Sequence, residues 1–433
     1  MVKVIGGGLA GCEAVWQIAN AGIEVELYEM KPHKYTPAHH YRGLAELVCS
    51  NSLKAARHDS AAGLLKEEME KLGSLIVPCA KANAVEAGGA LAVDRENFSD
   101  SVTEKIMSNP LIKVIDKEVE EIPEDGIVII ATGPLTAGRL AESIRKKCGD
   151  YLSFFDAAAP IVTYESLDKE KVFFASRYDR GDADYINCPM NKEEYLAFYN
   201  ALITAESAPL KEFDRRDFKV YEGCMPVEVL AKRGEDTMRF GPLKPVGLID
   251  KRTGKRPYAV VQLRKENAEG TMYNLVGFQT NLKFGEQKRV FSMITGLENA
   301  EFVRYGVMHR NSFIDSPKLL SPDYSLKENP DIFFAGQITG VEGYIESAAS
   351  GIMAGINAVK RINEEEPLIL PPETMIGALT AYISGGCSGE FQPMGCNMGI
   401  LSDLPVRIKD KKQKYAAYAD RAIEALTNTL KKS

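Results

Sequence analysis

Three glycines near the start of the chain stand in the spacing G-x-G-x-x-G, read as Gly6, Gly7, Gly8, Leu9, Ala10, Gly11. That pattern binds a pyrophosphate only between a strand and a helix. There the first glycine permits a tight turn, the second lets the backbone approach the phosphates, and the third lets the helix pack closely on the strand. The apolar run VKVI (2–5) precedes it, and a helical stretch from about Cys12 to Ala21, closed by Gly22, follows. IEVELYE (23–29) then reads as a second strand whose last residue, Glu29, sits where a carboxylate accepts hydrogen bonds from an adenosine ribose. The residues predict a dinucleotide site.

Sulfur is the second source of chemistry. The eight cysteines (12, 49, 79, 148, 188, 224, 387 and 396) are scattered, with no CxxC pair, and read as reduced thiols. Two have distinctive contexts. Cys224 lies in the turn-like EGCMP, and Cys49 precedes Ser50-Asn51-Ser52, residue types that cap helix starts, where unpaired N–H groups favour a thiolate. The plain alternative for any cysteine is a small buried apolar residue. The pair His39-His40 lacks companions at ligand spacing, so no metal is expected. His309, in MHRN, can stack on a ring or hydrogen-bond to it, or be merely structural.

These residues need a frame. GIVIIAT (126–132) and DIFFA (331–335) read as further buried strands, with Ala131, Thr132 and Gly133 at the end of one and Gly336 and Gln337 just beyond the other. In a doubly wound sheet, ligands bind at those carboxyl ends. The second strand leads into YIESAASGIMAGINAV (344–359), a small-residue helix whose start, with Glu346, is expected to face the cofactor. Use of two crevices in one sheet favours FAD over NAD. Between about 156 and 304, alternating apolar residues with hairpin glycines and prolines suggest an inserted body. The expected fold is thus α/β, a Rossmann-like FAD-binding domain interrupted by a mixed α+β domain. The divisions are 1–155 and 305–433 for the FAD-binding domain, with a basic C-terminal tail, and 156–304 for the insertion.

At 433 residues and 45% hydrophobic composition the chain can build such cores, and no segment has the roughly 18 apolar residues a membrane span needs. A cytoplasmic protein is expected. The net charge of −7 argues against a general nucleic-acid coat and leaves local patches: 211–216, 251–256 (Lys251, Arg252, Lys255, Arg256) and 409–414.

Several longer segments carry a family resemblance: GGGLAGCEA, LAELVCSNSLK (44–54), GGALAVDRENFS (88–99), FFDAAAPIV (154–162), YEGCMPVEVLAKRG (221–234), RYGVMHRN (304–311) and FFAGQITGVEGYIESAASG (333–351). Nearly end to end, the chain resembles the TrmFO family of FAD- and folate-dependent tRNA (uracil-5-)-methyltransferases, themselves related to the GidA (MnmG) flavoproteins. Cys387 and Cys396 stand where other polar or small residues are expected.

The resemblance implies that a one-carbon unit passes from 5,10-methylenetetrahydrofolate, by way of reduced FAD, to C5 of the T-loop uridine at position 54 of tRNA, with NAD(P)H as reductant. Uracil C5 is a poor nucleophile until a thiolate adds at C6. The resemblance makes Cys224 that nucleophile and Cys49 its partner, as base for the C5 proton or protector of the flavin, and suggests His309 for folate. RNA contacts are expected from the 251–256 patch and the tail lysines. A uridine of ribosomal RNA as substrate, and an FAD-bound RNA-binding protein without turnover, remain open, as does the oligomeric state.

Overall fold

The structure is a computed structural model and describes residues 1–179, 183–209, 225–250, 252–386 and 391–432. Its organising element is a six-stranded sheet in the order Ser325–Leu326, Asn329–Phe334, Ile127–Ile130, Val2–Ile5 (β1), Val25–Glu29 (β2), Ile112–Asp116. All neighbours are parallel except the edge strand Ser325–Leu326, which runs antiparallel. From β1 the sheet grows in both directions, toward β2 on one side and Ile127–Ile130 on the other. The carboxyl end of β1 is therefore a topological switch point, where such sheets open a crevice. Val128, Ile129 and Ile130 are fully buried, as expected of a strand covered on both faces.

Helix Leu9–Asn20 (α1) follows β1 directly, starting three residues earlier than the sequence suggests because Gly8 is its N-cap. It packs against helix Tyr344–Ile362, with Ala10 and Ala14 meeting Gly351 and Gly355, so the two backbones approach closely. A short helix, Met375–Ala381, follows, and the basic tail is helix Lys411–Leu430, capped by the Asp410 side chain.

A second six-stranded sheet, entirely antiparallel, joins Phe173–Phe174, Tyr185–Met190, Ala259–Lys265, Met272–Leu275, Ile161–Thr163 and Phe302–Arg304 in that order. It has its own apolar core, which includes Val162, Ile186, Leu263, Phe198, Phe278 and Phe291. The two passages linking the bodies run side by side, Leu152–Ala157 pairing antiparallel with Met308–Phe313. The α/β reading with an inserted mixed body is the observed architecture. Among the described residues no helix is long and apolar enough to cross a membrane.

Candidate active site

At the switch point a cleft of about 380 Å³ opens between Gly6–Ala10, Glu29, Ala131–Gly133 and the start of helix Tyr344–Ile362, from which Tyr344 and Ser347 face it. Gly336 and Gln337 also line it, as do Lys34, His39 and Lys117. Two glycines shape it, Gly8 in its lining and Gly11 behind the turn. A Cβ built on Gly8 meets nothing within 4 Å, whereas one on Gly11 would lie 1.8 Å from the Gly6 carbonyl oxygen. Gly8 leaves open space in front of the α1 amino end, and Gly11 lets α1 lie against the turn. The Glu29 carboxylate accepts the Gly7 N–H at 2.7 Å and the Lys31 N–H at 2.9 Å. It is thereby fixed at the lip of the glycine turn with lone pairs to spare. These features fit a dinucleotide: free N–H groups and dipole for the phosphates, a carboxylate for the ribose.

Cys49 lies where the two bodies meet. The Tyr344 hydroxyl accepts its backbone N–H at 2.8 Å and stands 3.1 Å from its Sγ. Arg264, on strand Ala259–Lys265 of the insertion, donates to Asn51 Oδ1 (3.0 Å) and Ser50 Oγ (2.9 Å). Arg95 donates to the Leu47 carbonyl (2.5 Å) and pairs with Glu266 (2.7 Å). The segment 47–51 is thus pinned from both bodies, and its thiol stands beside a residue that lines the cleft.

No helix begins at Ser50-Asn51-Ser52. Strand Ser52–Ala55 follows instead, and the Ser50 hydroxyl accepts the Ser52 N–H at 3.1 Å, closing a turn. The expected helix-start contribution to Cys49 is therefore absent. Glu346 also departs from expectation, for it is not among the cleft residues. Its carboxylate accepts from Lys54 (2.5 Å) and the Cys396 N–H (2.8 Å). The helical phase explains this: Tyr344 and Ser347, three apart, share the cleft face, and Glu346 points elsewhere. Arg252 is committed to Asp250, at 3.0 Å and 2.8 Å, and to the Glu170 carbonyl at 2.6 Å. Lys255 and Arg256 are exposed on the same turn.

Cys224 and Lys251 lie outside the described residues, as does the side chain of His309. Cys12 and Cys188 are fully buried, which pushes both thiols far above the ordinary range; burial lifts Cys148 to about 11. Sequence reading missed Tyr344, Arg95, Arg264 and Glu266 as members of this site. Arg264 offered the clearest signal, a charged residue inside the apolar strand AVVQLRK.

Comparison with known proteins completes the description. Over 426 residues the chain is 62% identical to a protein of Desulfitobacterium hafniense named methylenetetrahydrofolate--tRNA-(uracil-5-)-methyltransferase TrmFO, covering 98% of this chain and 97% of that one. The chain belongs to the TrmFO family. Another TrmFO, from Bacillus pumilus, is 58% identical over 433 residues, spanning 100% of this chain and 99% of the relative. The family model described as Glucose inhibited division protein A matches residues 1–366. GidA of Aquifex aeolicus superposes with a TM-score of 0.71 at 15% identity, covering 99% of this chain and 73% of that one, so TrmFO and GidA share the fold.

Proposed function

We propose that this chain transfers a one-carbon unit from 5,10-methylenetetrahydrofolate to C5 of the T-loop uridine of tRNA, with FAD in the cleft and NAD(P)H as the source of electrons. The observation that carries this reading is end-to-end identity of 62% with a relative named for that reaction. A thiol set beside a residue that lines the dinucleotide cleft supports it.

When bound, FAD supplies a two-electron reductant and a carrier for the one-carbon unit. The protein supplies the rest. Backbone N–H groups at Gly8 and Leu9, and the Glu29 carboxylate that the Gly7 N–H holds in place, would hold the pyrophosphate and ribose. Uracil must be made nucleophilic at C5, so a thiolate adds at C6, and we assign this to Cys224. Cys49 takes the C5 proton. His309 is our candidate for folate, while Lys255, Arg256 and the tail lysines are candidates for RNA phosphates.

The test uses RNA bearing 5-fluorouridine in the T-loop, because fluorine at C5 cannot leave as a proton does. The wild-type holoenzyme should form a covalent protein–RNA adduct and Cys224→Ala should not, while both retain FAD. Adduct formation by Cys224→Ala but not by Cys49→Ala would reverse the two roles. Absence of an adduct from all three proteins would remove the thiolate route.

A further inference from the structure

Guanidinium groups withdrawn from water require compensating negative charge. Three converge on the segment that carries Cys49. Arg95, from helix Arg95–Ser108, holds the Leu47 carbonyl and pairs with Glu266. Arg264 holds Ser50 and Asn51. Arg304, ending strand Phe302–Arg304, has a buried Nη2 without a hydrogen-bond partner. Glu266 is the carboxylate that acts on all three. Neighbouring Asp94 is committed elsewhere, accepting the N–H groups of Asn97 (3.0 Å) and Ala268 (2.9 Å). Among the described residues, one carboxylate therefore stands against three cations. Burial pulls Arg264 and Arg304 below the ordinary guanidinium value, the direction expected of cations short of counter-charge.

Cys49 is the remaining ionisable group common to the three arginines, and it also faces Tyr344. The tyrosine hydroxyl oxygen already accepts the N–H groups of Cys49 (2.8 Å) and Ser50 (3.4 Å), which leaves its own proton for the sulfur. We propose that Cys49 is the resident anion of this cluster, a thiolate kept by Arg95, Arg264 and Arg304 as positioning residues and by the Tyr344 hydroxyl. The chemistry that follows rests on the methyl-transfer reading. With C6 bonded to the nucleophilic sulfur and C5 carrying the new carbon, the Cys49 thiolate takes the C5 proton. The C–H electron pair forms an exocyclic C5 methylene as the bond from the new carbon to its carrier breaks, and the carrier leaves with that bond's electron pair. Hydride drawn from NAD(P)H then adds to the methylene, the C5=C6 double bond is restored, the C6–S bond breaks and the second sulfur leaves as thiolate, while the Cys49 thiol loses its proton to solvent.

The test is the pH dependence of iodoacetamide alkylation at Cys49, read by peptide mass in the FAD-loaded Cys224→Ser protein, where neither folate nor RNA is needed. The midpoint should lie at least about one unit below the ordinary thiol value near 8.5. Arg304→Met should raise it by about a unit, slowing alkylation roughly ten-fold at pH 7, and Arg304→Lys should restore much of the loss. Retained FAD absorbance identifies the folded variants. A midpoint at or above 8.5 in the Cys224→Ser protein overturns the proposal whether or not the arginine variants fold, as does an unchanged midpoint in folded Arg304→Met. A low midpoint in Cys224→Ser alongside a wild-type holoenzyme that transfers no folate carbon would keep the thiolate and refute the methyl-transfer reading instead.

Discussion

The hydroxyl of Tyr344 reaches Cys49 twice, accepting its backbone N–H at 2.8 Å and lying 3.1 Å from its Sγ, across 295 positions of sequence. A single oxygen thereby ties the thiol-bearing segment to the cleft. Tyr344→Phe would leave the Cys49 and Ser50 N–H groups without this acceptor, at a cost on the order of 1–3 kcal/mol. The denaturant midpoint should fall accordingly and Cys49 alkylation should slow at neutral pH. Unchanged stability and unchanged alkylation together would mean the contact is incidental.

Gly8 and Gly11 make opposite predictions. A Cβ at Gly8 enters open space, so Gly8→Ala should keep the stability of the FAD-free protein while weakening FAD several-fold, because the added methyl stands where the pyrophosphate approaches. A Cβ at Gly11 would lie 1.8 Å from backbone, which cannot yield as a side chain can. Gly11→Ala should therefore destabilise even the FAD-free protein by several kcal/mol, on the order of other severe backbone clashes. Thermal melts without cofactor and FAD titrations separate the two. Equal behaviour would misplace the fingerprint.

Two buried carboxyls set a pH dependence. Glu13 accepts from Ser74 and from the N–H groups of Leu75 and Ile76, yet burial raises it to about 7; burial raises Glu68, which accepts from Met375 and Ile376, to about 8. Their folded values exceed the unfolded one near 4.5, so the unfolded chain gives up these protons first. The stability they contribute is complete below about pH 4.5 and is lost as pH rises through 7 for Glu13 and 8 for Glu68. Glu68→Gln should flatten the upper part of that decline in denaturant titrations at fixed ionic strength. An identical slope from pH 5 to 8 would contradict the assignment.

Arg252 and its neighbours should separate on RNA. Arg252 is held by Asp250 and Glu170, so Arg252→Gln should lower stability slightly and leave the salt dependence of RNA binding unchanged. Removing a phosphate contact at Lys255 or Arg256 should reduce the slope of log affinity against log salt by about one each. An equal slope for all three variants and the wild type would move the RNA surface elsewhere.

What the sequence disclosed is what its local order determines. The turn at Gly6–Gly11, helix α1 and Glu29 fall within one β-α-β unit, where spacing along the chain equals arrangement in space. The cluster at Cys49 does not. Arg264 meets Asn51 across 213 positions, and only the docking of the two bodies brings them together. Where local reading failed, a local cue had been outweighed: Ser50-Asn51-Ser52 looks like a helix start but turns into a strand, and the helical phase at Tyr344 carries Glu346 away from the cleft. In the patch at 251–256, Asp250 sits two residues before Arg252, near enough in sequence to have been foreseen as its partner.

The central claim is tested by supplying the FAD-loaded protein with NADH, methylenetetrahydrofolate labelled in its methylene carbon, and a mixture of tRNA and ribosomal RNA transcripts, then locating the label by nuclease digestion and mass spectrometry. The account predicts label in the 5-methyl group of the T-loop uridine of tRNA, none in ribosomal RNA, and none from labelled S-adenosylmethionine. Label confined to ribosomal RNA, or delivered from S-adenosylmethionine alone, would contradict it.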